Sequence, residues 1–425
     1  MRIGFVTQWF PPEAGTHLAE SIATGLAGRG HHVDVLTGFP NYPTGRLAPG
    51  YKMRPYLREN HSERVTVHRA PLYPSHDSSA VRRMMNYGSF AASSAAVGRF
   101  KMPTPDVWLT YSSPATAALA AVVDKTFTSR PNCLVIQDLW PDSVTDSGMM
   151  PARARSVVRP VLDRFCSLAY RRADAIGVIS PSMREILVSR GVPDGKILDT
   201  PNWSSDDLLR PHQASTPEAR ERLGLPSGRL FMYVGNLGHL QALEGIVEAF
   251  GMFPEAHLAL IGDGVRRTPI EELVAQKSIT NVHVLGPRPV AEVGDYIAAS
   301  DVQIVSLQDT PLLRATMPSK MQFSLAAARP VLAHAGGDVA AIVRSENVGA
   351  VARPGVPNDL RAAIRLLSSA DSAELLAMGR RARAVYEARF TQEAGLDRLE
   401  QMLHHATRLT PPAQDLTLHV QRTSS

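Results

Sequence analysis

Residues 316–320, "TMPSK", place a proline, a serine and a lysine between two apolar runs. Pro318 ends a loop, Ser319 stands at a predicted helix start where it can cap, and free amides at such a start carry partial positive charge. Lys320 adds a full charge there, in a chain with only six lysines against 39 arginines. The chemistry this suits is the holding of an anion, with a solvated lysine behind a capped helix as the plainer alternative. Other turns lead into helices with glycine at the bend: Gly15, then Gly235 and Gly238, then Gly262 and Gly264. Each could turn amides toward a phosphate, although an ordinary helix start also wants glycine. Carboxylates Glu13, Asp138, Asp142 and Asp338 fall at predicted strand ends, with Gly336 and Gly337 just before the last. Asp138 directly follows a buried strand and needs partners there, whereas Asp142 reads as a helix cap.

What is missing narrows the chemistry. No GxGxxG follows the first strand and no GxxxxGK[ST] occurs, which disfavours a nicotinamide enzyme and a P-loop nucleotidase. No DxD triplet and no His/Cys cluster offers a metal clamp, so no metal and no cofactor are expected. No GxSxG elbow supports an acyl-enzyme. Binding a diphosphate-linked donor and transferring its group is the chemistry that remains.

The elements that must position these residues alternate. "RIGFVTQ", a helix over 16–29, "HHVDVLTGF", "DVWLTYS", "CLVIQDL" and "DAIGVIS" fill the first half. "LFMYVGN", "HLALIGDG", "NVHVLGP", "DVQIVSLQ" and "PVLAHAGG" fill the second. Strand–helix alternation predicts parallel sheets wrapped by helices, and 425 residues exceed one ordinary core of about 200. The expected architecture is α/β, two doubly wound domains facing a central cleft, with the polar stretch 201–221 as linker. In such sheets ligands bind beyond the carboxyl ends of the strands, where the loops above lie.

The composition, 44% hydrophobic and 20% charged, is that of a soluble globular protein. The longest apolar candidate, 115–123, is about half the ~18 residues a span needs, and the N-terminus runs straight into a strand rather than a signal peptide. Cys133 and Cys166 sit in apolar contexts without metal-type spacing, which predicts core positions in a reduced, cytoplasmic protein. Residues 46–101 hold ten Lys/Arg and three Asp/Glu, more than the whole chain's net +5. Val81, Met84, Met85 and Phe90 have helical spacing beside Arg82 and Arg83. The stripe reads either as core or as a basic amphipathic surface helix on an anionic membrane face. Nucleic acid is not expected, because aromatic platforms and fold motifs are lacking.

In order, "TQWFPPE", "LTGFPNYPTGRL", "PLYPSHDSSAVRRMMNYGSF", "IQDLWPDS", Asn202-Trp203, "GNLG", "IGDG" and "PSK" resemble glycosyltransferase family 4. They are especially similar to the branch containing N-acetyl-L-fucosamine transferases of bacterial O-antigen and capsule assembly. The resemblance covers 2–391 and implies a GT-B fold with two Rossmann-like domains. The acceptor domain would be 1–200 and the nucleotide-sugar domain 201–390. A helix over about 391–407 would cross back to the first domain, with a disordered tail to 425. It implies a retaining, metal-independent hexosyltransferase that moves a sugar from a UDP-sugar, an N-acetylated hexosamine or deoxyhexosamine, to a carrier-linked or small acceptor hydroxyl. An enzyme of antibiotic or secondary-metabolite assembly, a GT-B-shaped sugar-nucleotide epimerase and a non-catalytic binder are the alternatives. Peripheral contact with the inner face of the cell membrane would fit a lipid-linked acceptor glycan.

The resemblance also assigns residues. Asp138 and Glu13 would be catalytic. Gly15, Gly235, Asn236, Gly238, Gly262, Gly264, Ser319, Lys320, Gly337 and Asp338 would hold the donor, Asp338 standing where relatives often have Glu. Asn41, Tyr42, Arg82 and Arg83 would hold the acceptor, although Asn41 and Tyr42 would also make a turn in any protein. The chain departs from the family in places. Two glutamates eight positions apart are replaced by Ala315 and Phe323, the usual diphosphate-binding Arg and Lys by Asn236 and Gln241, and a histidine by Gln137. Lys320 would then supply the charge that Asn236 and Gln241 lack.

Overall fold

A computed structural model describes residues 1–76, 79–145, 152–204, 207, 209 and 216–409. The expected tail after the last helix, and much of the expected linker at 201–221, lie outside these residues.

Fourteen described strands form two sheets. In the first, β1 (Arg2–Val6), β2 (His32–Gly38), β3 (Leu57–Ser62), β4 (Val65–Ala70), β5 (Val107–Ser112), β6 (Asn132–Ile136), β7 (Ala175–Val178) and β8 (Ile197–Asp199) lie in the order β3-β4-β2-β1-β5-β6-β7-β8. β1 pairs parallel with β2 and β5, β2 with β4, and β5 with β6, while edge strand β3 runs antiparallel to β4. The second sheet has β9 (Arg229–Val234), β10 (Ala256–Ile261), β11 (Val282–Gly286), β12 (Val302–Ser306), β13 (Val331–His334) and β14 (Gly349–Ala352) in the order β11-β10-β9-β12-β13-β14, every pair parallel. Both are Rossmann-like α/β sheets of parallel strands, and the order of the parallel strands reverses between β1 and β5 in the first and between β9 and β12 in the second.

The central parallel strands are buried nearly without interruption, as strands covered on both faces must be, whereas edge strand β3 is mostly exposed. Helices supply apolar stripes at three- and four-residue spacing: Ala19, Ile22, Ala23 and Leu26 in His17–Gly28, and Leu243, Ile246, Val247 and Phe250 in Leu243–Phe250. Cys133 and Cys166 are buried, and neither is in a disulfide. Trp203 lies against Gly395, where a β-carbon would come within 2.0 Å of the indole. Strands β3, β4, β8 and β14 are additions to the sequence reading; "RVTVHRA" alternates weakly, and the other three are short or polar.

The chain divides into two compact units. The first comprises Met1–Gly177, Val192–Leu198 and the chain from Leu399; the second comprises Val178–Gly191 and Asp199–Arg398. Helix Pro181–Ser189 therefore groups with the second unit rather than with the sheet strands that flank it. Its first turn explains this, since Ser180 Oγ donates to Ala315 O at 2.8 Å and Ser182 Oγ to Asp338 Oδ1 at 2.8 Å.

Candidate functional site

In the first unit, the loops that follow β1 and β2 are held together by one buried carboxylate. Glu13 Oε1 accepts from the amides of Asn41 and Tyr42 at 2.8 and 2.9 Å, and Oε2 from the Phe10 amide at 3.2 Å. Burial pushes its pKa up to about 7, against the three amides and the Arg69 charge, which pull it down. Arg69 ties the same loops to Gly38 O and Pro11 O. Glu13, expected as a catalytic group, thus spends its oxygens on backbone donors. Asn41 is likewise engaged within the protein. It is 3% exposed, its Nδ2 donates to Phe39 O, and its Oδ1 accepts from Asn86. Asn86 in turn accepts from Gln8, completing a buried amide relay that the sequence reading missed.

These clamps fix a wall of rings. The Trp9 centroid lies 5.7 Å from Tyr42 and 6.3 Å from Tyr87, and Tyr87 lies 5.8 Å from Trp140, arrangements that favour edge and tilted ring contacts. Trp9, Tyr87 and Trp140 line a cavity of ≈ 230 Å³, with Ser113 and Asp138 also contributing. The cavity lies where the strand order reverses, the expected place for a ligand in such a sheet. Asp138 accepts from Ser113 Oγ at 2.8 Å; desolvation in this concave setting raises its pKa, and the Ser113 bond opposes the rise. Its other oxygen has no donor among the described residues.

Helix Ala80–Phe100 divides the basic stripe. Phe90 and Val97 enter the core, Val81 is 70% and Met85 50% exposed, Arg83 and Met84 line the cavity, and Arg82 is exposed. The stripe is therefore split between a core-facing part and an exposed first turn. Gly15 has φ +73 and lies two residues before helix His17–Gly28, with open space where a side chain would be.

In the second unit the glycines serve a different purpose from the one expected. A β-carbon on Gly262 would fall 1.9 Å from Gly235 O, and one on Gly264 2.4 Å from Leu237 O, so the loops after β9 and β10 cross backbone to backbone. Their amides are already engaged: Gly235 N with Ile261 O, Gly262 N with Gly286 O, Gly264 N with Asp263 Oδ1 and Gly238 N with Gln241 Oε1. These four glycines shape the edge of the site and offer no amide to an anion. Gly337, at φ +59, makes a similar close approach to Arg314 O. Asp338, expected beside a sugar, accepts from the amide and hydroxyl of Ser182, because it faces the first turn of helix Pro181–Ser189, whose leading amides have no acceptor within the helix. Asn236 is exposed at the tip of its loop, its carbonyl accepting from the Tyr233 hydroxyl at 2.7 Å.

Lys320 stands apart from all of these. It is half-buried beside Gly235, its Nζ 5.3 Å from the Tyr233 ring centroid, and desolvation lowers its pKa. No carboxylate pairs with it among the described residues. Helix Ser319–Ala326 begins at the same point, and Pro318 occupies the cap position without a side-chain hydrogen bond. Ser319 is therefore the exposed first helical residue rather than the cap, and the amides of Ser319 and Lys320 have no acceptor among the described residues. A desolvated ammonium, a cation–π contact and two free helix-start amides are the features that an anion site would use, and they lie again where the strand order reverses. Ala315 is buried and Phe323 is 38% exposed at the positions of the replaced glutamates. No cluster of three or more metal-ligating side chains occurs among the described residues.

Residues 15–203 match the glycosyl transferase 4-like domain, and residues 215–391 match the domain described as glycosyl transferases group 1. The chain is 28% identical over 315 residues to WcaI of Escherichia coli (strain K12), whose name places it as a glycosyl transferase in colanic acid biosynthesis. That alignment covers 71% of this chain and 74% of WcaI. Among solved structures, sucrose-phosphate synthase from Thermosynechococcus elongatus is similar at a TM-score of 0.73 and 20% identity, over 96% of this chain and 100% of that one. HepE of Anabaena, solved in complex with UDP-glucose, is similar at a TM-score of 0.66 and 15% identity, over 95% of this chain and 99% of that one.

Proposed function

Since the chain belongs to the glycosyltransferases of the 4-like and group 1 type and has the GT-B fold, we propose that it is a retaining enzyme of bacterial glycan biosynthesis whose second unit binds a UDP-sugar through Lys320. The observation that carries this reading is the Lys320 ammonium, half-buried beside two free helix-start amides and, among the described residues, without a carboxylate partner. A desolvated charge is costly unless an anion meets it, and a donor diphosphate supplies two negative groups. HepE, solved with UDP-glucose, supports UDP as the nucleotide; an N-acetylated hexosamine or deoxyhexosamine is the sugar.

In this reading the acceptor sugar rests in the aromatic cavity of the first unit, and its hydroxyl hydrogen-bonds to Asp138. The hydroxyl attacks the anomeric carbon on the face from which the diphosphate departs, and a phosphate oxygen of the leaving group takes the proton. The protein contributes position and stabilisation of the developing charge. A carrier-linked acceptor fits the exposed Val81 and Met85 with Arg82 near the cavity, a surface suited to an anionic bilayer. No described helix is long and apolar enough to cross a membrane.

A thermal-shift screen of nucleotide sugars tests the reading. Ligand at ~100 times its Kd stabilises by roughly 2.7 kcal/mol, so the true donor raises the melting temperature of the parent by clearly more than that of Lys320→Ala. UDP release that proceeds without any acceptor, or donor stabilisation that persists undiminished in Lys320→Ala, would count against it.

A further inference from the structure

We propose that Ser113 is a positioning residue for Asp138, fixing one oxygen of its carboxylate so that the other is presented to the acceptor hydroxyl. The proposal rests on reading the aromatic cavity as the acceptor site. Ser113 is the first residue beyond β5 and Asp138 the second beyond β6, on neighbouring strands, so the sheet register brings them together. The Ser113 amide donates to Tyr111 O at 3.0 Å, which fixes the residue's backbone, and its hydroxyl donates to Asp138 Oδ2 at 2.8 Å. Oδ1 has no donor among the described residues, while the cavity lies open beside it.

A carboxylate with two free oxygens would rotate among rotamers and present its lone pairs in several directions. One hydroxyl bond removes that freedom and favours the ionised form, the form that can accept. The groups that face Asp138 do not replace this. Tyr111 below it and Tyr87 from helix Ala80–Phe100 are held neutral by burial, and the negative charge of Asp138 raises their pKa values further. Arg83 lines the same cavity and contacts Tyr87. Asp142 faces elsewhere and pairs with Arg159 at 2.6 Å. Ser113 is thus the hydrogen-bond donor that the described residues give the Asp138 side chain.

The test is a carboxyl-carbon NMR titration of protein labelled at aspartate, with the Asp138 signal assigned by its loss in Asp138→Asn. In Ser113→Ala the midpoint moves to higher pH, a gain of about tenfold in proton affinity, while Ser113→Thr, which keeps the hydroxyl, titrates like the parent. An Asp138 midpoint unchanged in Ser113→Ala overturns the proposal. A second measurement separates this from failure of the cavity reading: acceptor-dependent UDP release from UDP-N-acetylglucosamine with a panel of alkyl glycosides. Loss of release in Asp138→Asn, with an intact titration in Ser113→Ala, leaves the cavity reading standing and only the role of Ser113 wrong. Release at the parent rate in Asp138→Asn overturns both.

Discussion

Lys320 packs over the bare α-carbon of Gly235: a β-carbon there would come within 2.6 Å of its Cε and 2.9 Å of its Nζ. The glycine, at φ +134, makes room for an ammonium that the Tyr233 ring supports and that no carboxylate among the described residues neutralises.

Lys320→Ala is expected to fold normally and to lower kcat/KM by about one to two orders of magnitude. A hydrogen bond to a charged group is worth roughly 1.5–3 kcal/mol, and about 1.4 kcal/mol is tenfold in rate. Ser319→Ala should cost less, since the helix-start amides remain. Steady-state kinetics beside circular dichroism decide the matter; parental turnover in Lys320→Ala would place the diphosphate elsewhere.

Activity is expected to survive EDTA. Lys320 and two amides can carry the diphosphate charge without an ion. Loss of UDP release on chelation, restored by magnesium or manganese, would contradict the proposed donor site.

Arg82→Glu is expected to weaken binding to anionic vesicles while leaving donor binding unchanged. Arg82 is exposed beside Val81 and Met85, whereas Arg83 lines the cavity. About 1 kcal/mol per basic residue is available near such a surface, and charge reversal should cost at least that. Vesicle co-sedimentation at two salt concentrations measures it, and Arg83→Glu should by contrast impair transfer to a soluble acceptor as well.

Glu13 predicts a pH dependence of stability. Its pKa lies near 4.5 when exposed and is pushed up to about 7 in the folded chain. Between these values the folded state holds a proton that the unfolded state has released, so stability falls as pH rises. The contribution is fully present below about 4.5 and is lost as pH passes about 7, a span of about 3 kcal/mol. Urea midpoints taken from pH 5 to 8 should decline more steeply in the parent than in Glu13→Gln. Parallel slopes would show that Glu13 stays ionised throughout on its three amide donors.

The sequence by itself determined the two parallel sheets, because apolar runs too short for helices recur between helical segments, and burial on both faces demands that pattern. It also showed which loops lie at the carboxyl edges of the sheets, since those loops follow strands, and it singled out Lys320 through scarcity and its place at a helix start. Only the tertiary structure decided what each polar group does there. Glu13 and Asp338 look like free carboxylates in the chain, yet one meets the amides of Asn41 and Tyr42 and the other meets Ser182, 156 residues away. Gly235, Gly262 and Gly264 look like phosphate turns, yet they exist because two loops touch backbone to backbone. Ser113, Trp9 and Tyr87 come from three separate elements and acquire meaning only when the sheet brings them around Asp138. Local sequence sets periodicity and turn chemistry, whereas the partner of a buried donor or acceptor is fixed by strand order, and strand order is a long-range property.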